Sequence, residues 1–322
     1  MSALILTLGL LLAAAPVIEE ADLTAKPSGR EVGSVFPLKS HRNIHGAVKM
    51  RCTIDAAGKA ERCDVLTEKP YGLGFGEAGA RLMERSGRFK PRKVDGKAVD
   101  GGQVEFTLEM WAPKAGPPLL TDPVWATAPT VDEVAAAWPA GLQDEEAVVV
   151  LRCLMRRSGD LGDCTTVQPA DPAATEAARA LAGRFRVKLT EAEVRKVSRA
   201  DVVISFRLLN PASAAGKSRL VRQPEWTTVL DPAAVQAIFP DAAAAAGVKS
   251  GRGVADCLVG ADGALSDCRV ASEKPDALGF GASAVEVAQT MRLNLWSEDG
   301  RPTVGARIRL PVEFSLAADP AK

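Results

Sequence analysis

The chain has 322 residues, 47% of them hydrophobic and 25% charged, which is enough apolar material for two or three packed domains. Lysine plus arginine and aspartate plus glutamate both number 40, so no net field draws the protein to nucleic acid or to an anionic membrane. With two histidines, one tyrosine and six cysteines there is little equipment for general acid–base or metal chemistry, and neither a cofactor nor a metal site is expected.

From Ala3 to Ala15 runs an apolar stretch, ALILTLGLLLAAA, ending in small residues before Pro16 and the acidic pair Glu19 and Glu20. It reads as a secretory signal peptide, assigned to 1–21 with the scissile bond left open, and implies export to the periplasm. No lysine or arginine precedes the run, and Pro16 follows the most obvious cleavage point, Ala15. The rival reading is an uncleaved anchor in the inner membrane. Counted to Ile18, however, the stretch falls short of the roughly 20 residues a spanning helix needs. Membrane contact is therefore expected only if this segment is retained.

After Phe36-Pro37 comes AVKMRCTI, with Val48, Met50, Cys52 and Ile54 on one face and Lys49, Arg51 and Thr53 on the other. Period two predicts a strand. The segment DAAGK is a turn around Gly58, and ERCDV returns as a second strand carrying Cys63. FGEAGARLMERSGRF follows as an amphipathic helix, and QVEFTLEMW closes the unit as an alternating strand with Val104, Phe106, Leu108 and Met110 on one side.

The same order then recurs twice. Cys153 and Cys164, and Cys257 and Cys268, repeat the C-x10-C spacing of Cys52 and Cys63, with Gly159 and Gly263 where the first copy has Gly58. Trp138-Pro139 and Phe239-Pro240 stand where the first copy has Phe36-Pro37, each behind a helix-like segment. AATEAARALAGRF and FGASAVEVAQTMRL supply the helices, DVVISFRLL and RIRLPVEFSL the closing strands. Pro/Ala/Gly-rich connectors near 114–123 and 210–219 lead into Trp125 and Trp226, which are expected to dock on their own domain or bridge two copies rather than hold a ligand. The domains are set at 30–112, 123–210 and 224–318, each a two-layer α+β unit with a three-stranded antiparallel sheet packed by one or two helices.

Folding each hairpin about its turn puts its two cysteines opposite one another, so Cys52–Cys63, Cys153–Cys164 and Cys257–Cys268 are expected to be structural disulfides. Each closes a loop of about a dozen residues and stabilises by roughly 3 kcal/mol on the chain-entropy estimate. Zinc fares poorly, since structural sites use cysteines two to four residues apart, and thiol catalysis lacks a C-x-x-C motif.

Three other features admit a functional reading. GLGFGEAG at 72–79, echoed by ALGFGASA at 277–284, has glycine spacing of the dinucleotide-binding sort but no βαβ context, so a loop entering a helix is expected. His41 and His45 have no third ligand and read as surface residues. Arg81 to Lys97 holds seven basic against two acidic residues and reads as a solvated helix end and loop, with contact to an anionic polymer as the alternative.

Taken together, an aromatic-Pro start, a strand reaching D-x-x-G, a second strand, a helix ending in Arg-Phe-Lys-Pro and an alternating closing strand resemble the TonB C-terminal domain. The first copy carries this in Phe36, Pro37, Asp55, Gly58, Arg88, Phe89, Lys90, Pro91, Asp95, Gly96 and Phe106. The second keeps Arg184, Phe185 and Phe206; the third keeps Gly300, Pro302 and Phe314 but has Met291-Arg292-Leu293 at the helix end. The resemblance implies three tandem degenerate copies of a periplasmic domain that takes up an extended peptide from an outer-membrane transporter by adding it to a sheet edge. Short connectors and the cysteine pairs depart from that family. The expected function is a non-catalytic periplasmic binding or scaffolding protein for a protein or peptide partner of the cell envelope, outer-membrane receptors among the candidates. An anchored transducer is the alternative, and an envelope enzyme with a site between domains ranks below both.

Overall fold

The chain is described by a computed structural model over residues 18–37, 44–111, 119–120, 122–190, 200–228, 230 and 232–316, with backbone only at 232–234. The expected leader up to residue 17, His41 and the connector 112–118 lie outside these residues.

The first third forms β1 (Ile18–Glu19), β2 (Asp22–Ala25), α1 (Gly29–Val35), β3 (Gly46–Ile54), β4 (Ala60–Lys69), α2 (Phe75–Ser86), β5 (Arg88–Lys90), β6 (Lys93–Val94), β7 (Lys97–Ala98) and β8 (Gly102–Met110). The second forms β9 (Leu119–Leu120), β10 (Trp125–Thr127), α3 (Val131–Ala136), β11 (Glu146–Met155), β12 (Leu161–Thr166), α4 (Pro172–Ala182), β13 (Arg186–Val187) and β14 (Ala200–Leu209). The last forms α5 (Ala214–Lys217), α6 (Pro232–Ala237), α7 (Asp241–Ala245), β15 (Ser250–Val259), β16 (Leu265–Lys274), α8 (Phe280–Thr290) and β17 (Arg307–Ser315). Hairpin, helix and closing strand thus appear three times, and the fold is a tandem α+β arrangement of small, mainly antiparallel sheets.

Each sheet puts the first hairpin strand in the middle, in the orders β4-β3-β8, β12-β11-β14-β9 and β16-β15-β17. The middle strands are therefore the most apolar. Val48, Met50, Cys52 and Ile54 of β3 are fully buried, as alternation dictates. The closing strands bury one face each, with Val202, Ile204, Phe206 and Leu208 in β14 and Ile308, Leu310, Val312 and Phe314 in β17. The helices lay small or apolar residues on those faces at helical spacing: Phe75, Ala78 and Leu82 in α2, Ala174, Ala178 and Leu181 in α4, Phe280, Ala284 and Val287 in α8. Two features depart from the expected plan. The second sheet gains a fourth strand, β9, paired in parallel with β14 through Asp201↔Leu119 and Val202↔Leu120. The segments before α1 and α3 also pair with those after α2 and α4, as β2·β5 and β10·β13.

The aromatic-Pro boundary has a packing reason. Phe36 meets the Phe75 ring edge-on at 5.4 Å, and Phe239 meets Phe280 at 5.5 Å. The Phe75 ring lies where a Cβ on Gly46 would be, and Phe280 does the same over Gly251. A glycine in the strand therefore admits the first aromatic of the helix.

Two compact units are distinguished. Of the described residues, the smaller comprises those up to Val35, Lys49–Leu66 and Gly76–Leu108; the larger comprises those within Phe36–Val48, Thr67–Phe75 and from Glu109 onward. Within the larger, one core gathers β11, α4 and β14 and includes Leu295, Trp296 and Val304, while a second gathers β15, α8 and β17. Trp296 packs on Phe185 at 4.9 Å and on Phe206 at 5.5 Å, and its indole N–H donates to the Ser205 carbonyl at 2.9 Å. The core of β11, α4 and β14 is thus completed by a segment some 90 residues downstream.

Candidate functional site

Three disulfides, Cys52–Cys63, Cys153–Cys164 and Cys257–Cys268, staple the hairpins, with S–S distances of 1.97, 2.01 and 2.10 Å. Their Cα atoms are 4.0–4.1 Å apart, the close spacing of a cross-strand pair whose residues do not exchange hydrogen bonds. In the second and third hairpins a bulge follows at once. Asp163 lies between the pairs Arg152↔Thr165 and Leu154↔Gly162, Asp267 between Asp256↔Arg269 and Leu258↔Ser266, and both have positive φ.

The turns beyond the disulfides are tied down in one way three times. The carbonyls of Gly58, Gly159 and Gly263 accept from the backbone N–H of Phe89, Val187 and Leu293 at 3.2, 2.9 and 2.9 Å. The Arg88, Arg184 and Arg292 carbonyls accept from the hydroxyls of Thr24, Thr127 and Thr227 at 3.0, 2.9 and 3.2 Å. Leu293 therefore takes the backbone place of Phe89 although the third copy has lost the Arg-Phe-Lys-Pro sequence. Asp95 and Gly96, both at positive φ, form the two-residue turn between β6 and β7.

The glycine-rich loops are stapled from within. In EKPYGLGFG the Glu68 carboxylate accepts from Gly72 N–H at 2.7 Å; in EKPDALGFG the Glu273 carboxylate accepts from Gly281 N–H at 2.6 Å. Backbone N–H groups of Gly281, Gly279, Ala277 and Leu278 hold Glu273 below the usual carboxylate range. The place a phosphate would take at the start of α8 is filled by the protein's own carboxylate. The identical EKP-x-x-LGFG frame was the sequence signal for this.

The basic run from Arg81 to Lys97 faces acids of its own unit. Glu19 lies 3.4 Å from Lys90 and 3.8 Å from Lys93, and Glu20 lies 3.7 Å from Arg92. His45 stacks on Trp111 at 4.6 Å. Among the described residues no group of three or more histidines, cysteines, aspartates and glutamates is placed to hold a metal ion, and no helix is long and apolar enough to cross a membrane.

What the folds present outward is sheet edge. β4 and β16, ten residues each, and β12 stand at the ends of their sheets. Val65 and Val270, each two residues past the second cysteine of its pair, are exposed on β4 and β16. The starts of two closing strands are covered by the chain itself: β9 lies on β14, and Leu220 bridges Arg307 of β17 in parallel, with Val221 N–H donating to the Arg307 carbonyl at 2.9 Å.

A small sheet with one packed helix and free edges defines a class of compact α+β domain. Residues 37–108 match the family described as Gram-negative bacterial TonB protein C-terminal. That family is periplasmic and non-enzymatic, and its domains interact with outer-membrane proteins. Over 63 residues the chain is 33% identical to an uncharacterized protein of Caulobacter vibrioides, covering 20% of this chain and 63% of that one. The match thus spans less than two thirds of that relative's length. No solved structure matches the chain significantly.

Proposed function

We propose that the protein is a periplasmic, non-catalytic binding or scaffolding protein that holds an envelope protein or peptide by adding it to a sheet edge. The observation that carries this is the pair of ten-residue strands, β4 and β16, ending their sheets in modules stapled by disulfides. An edge strand presents backbone donors and acceptors in a row, and an added strand satisfies them without any catalytic group. The three modules, 30–112, 123–210 and 224–318, are read as degenerate copies of the one domain, and the cysteines fit an oxidising compartment. Export with cleavage N-terminal to Ile18 is the processing that keeps β1, since Ile18 and Glu19 pair with Val94 and Lys93. An anchored transducer fits less well: the apolar run at 3–15 abuts β1, so a retained helix would hold the module at the bilayer without the spacer a transducer uses.

The test is photocrosslinking in the native envelope from a photoreactive residue at position 65 or 270, with position 49, exposed on the face of the middle strand β3, as control. A discrete protein adduct from 65 or 270 and none from 49 is expected; no adduct from either edge position would reject the reading.

A further inference from the structure

The larger unit contains a cleft of about 430 Å³, the size range of small-ligand and side-chain pockets. Its walls are aromatic. Tyr71, Trp111, Trp125 and Trp296 line it, and Trp111 is 65% exposed, the most open large apolar side chain among the described residues. Trp125 and Trp296 belong to the packed core, where their rings meet Phe185 at 4.7 and 4.9 Å, so only the Trp111 indole stands in the cleft without being spent on that core.

Charge gives a second, independent constraint. Four carboxylates, Glu109, Asp122, Glu225 and Glu298, line the cleft against one ammonium, Lys69. Lys69 Nζ is engaged by Asp122 at 3.1 Å, Glu225 at 3.2 Å and Glu298 at 3.1 Å. Burial acts to lower its pKa, but those three acids outweigh burial and hold it above its usual value. It stays protonated and already partnered, so it has no charge to offer an anion. Glu109 forms no ion pair with a described residue. An aromatic wall with an excess of carboxylates is an environment that attracts a cation and repels an anion.

We propose that this cleft receives an arginine or lysine side chain of the protein partner, with Trp111 as the apolar wall along its stem and Glu109 and Asp122 as counter-charges. The proposal deepens the binding reading above and rests on it. Arginine is the better fit, since its planar, weakly hydrated head stacks on an indole and pairs with carboxylates together. The cleft then selects which extended segment is taken, while a sheet edge holds its backbone.

The test titrates acetyl-Gly-Arg-Gly-amide into the full chain, followed by tryptophan fluorescence and calorimetry, beside the same peptide with citrulline for arginine. Saturable binding of the arginine peptide is expected, weaker by about tenfold for citrulline and weaker again as salt rises. Glu109→Gln and Trp111→Ala, both exposed positions that leave the core intact, should each weaken it by roughly three- to tenfold, with far-ultraviolet dichroism unchanged. Equal affinity for the two peptides, no binding of either, or binding indifferent to both variants would overturn the cleft assignment. Those results leave the crosslinks from positions 65 and 270 standing, whereas loss of the crosslinks with arginine binding intact rejects the edge reading alone.

Discussion

Gly263 and Gly305 share a left-handed backbone, with φ of +79° and +80°, yet their surroundings differ. A Cβ on Gly263 would meet the Leu293 carbonyl oxygen at 2.1 Å, whereas one on Gly305 would meet nothing within 4 Å. Gly305→Ala is expected to cost about 1 kcal/mol, the conformational penalty alone, and Gly263→Ala at least about twice that, because the turn must also leave the Leu293 segment it docks on. Urea unfolding of the two variants measures the difference; equal costs would mean that the docked turn contributes nothing. Glu31 is a second residue-scale case. The Ser28 hydroxyl donates to its carboxylate at 2.7 Å and the Ser28 N–H at 2.8 Å, forming a capping box that opens α1. The hydroxyl first and the N–H second hold its pKa down to about 2. A carboxylate depressed in the fold stabilises above its unfolded value of about 4.3 and loses that contribution as pH falls through the folded value. Carbon-detected titration should place Glu31 near 2, and Ser28→Ala should move it upward; a native value above 4 would remove the capping box from the account.

At the scale of elements, the hairpin with its disulfide is the repeating unit of stability. Replacing Cys257 and Cys268 together by serine should lower stability by roughly 3 kcal/mol, read from thermal unfolding with and without reductant, and reductant should then have less effect on the variant. An unchanged midpoint would show that the staple constrains little in the unfolded chain. Much of this level was legible from the amino acids, because alternation in β3, β8, β14 and β17 and helical spacing in α2, α4 and α8 each reflect one buried face. The elements that escaped were too short to show a period. α1 has seven residues and is signalled only by Ser28-x-x-Glu31; β9, β10 and β13 have two or three residues and exist because a neighbouring edge accepts them. Cysteine spacing implied cross-strand pairs but not the bulges at Asp163 and Asp267, which depend on local twist rather than on pattern.

At the scale of the whole molecule, the joining of segments far apart in sequence was the least legible feature. Asn294 shows why. Its Oδ1 accepts from the N–H of Trp125 at 2.9 Å and of Leu295 at 3.0 Å, while its Nδ2 donates to the Pro123 carbonyl at 2.9 Å and to Glu225 at 3.0 Å. One buried asparagine thus satisfies both connectors, and nothing periodic marks it. Trp296 beside it closes the core formed by Phe185 and Phe206. Trp296→Ala should cost about 3–5 kcal/mol, and hydrogen exchange should rise in β14 as well as in β17; faster exchange in β17 alone would mean that the two cores are energetically separate. Strand addition to this stapled chain is tested most directly by hydrogen–deuterium exchange with and without the envelope protein captured from position 65 or 270. Protection of alternate amides along β4 or β16 is the expected result. Protection confined to helices, with the β4 and β16 amides exchanging as in the free protein, would contradict it.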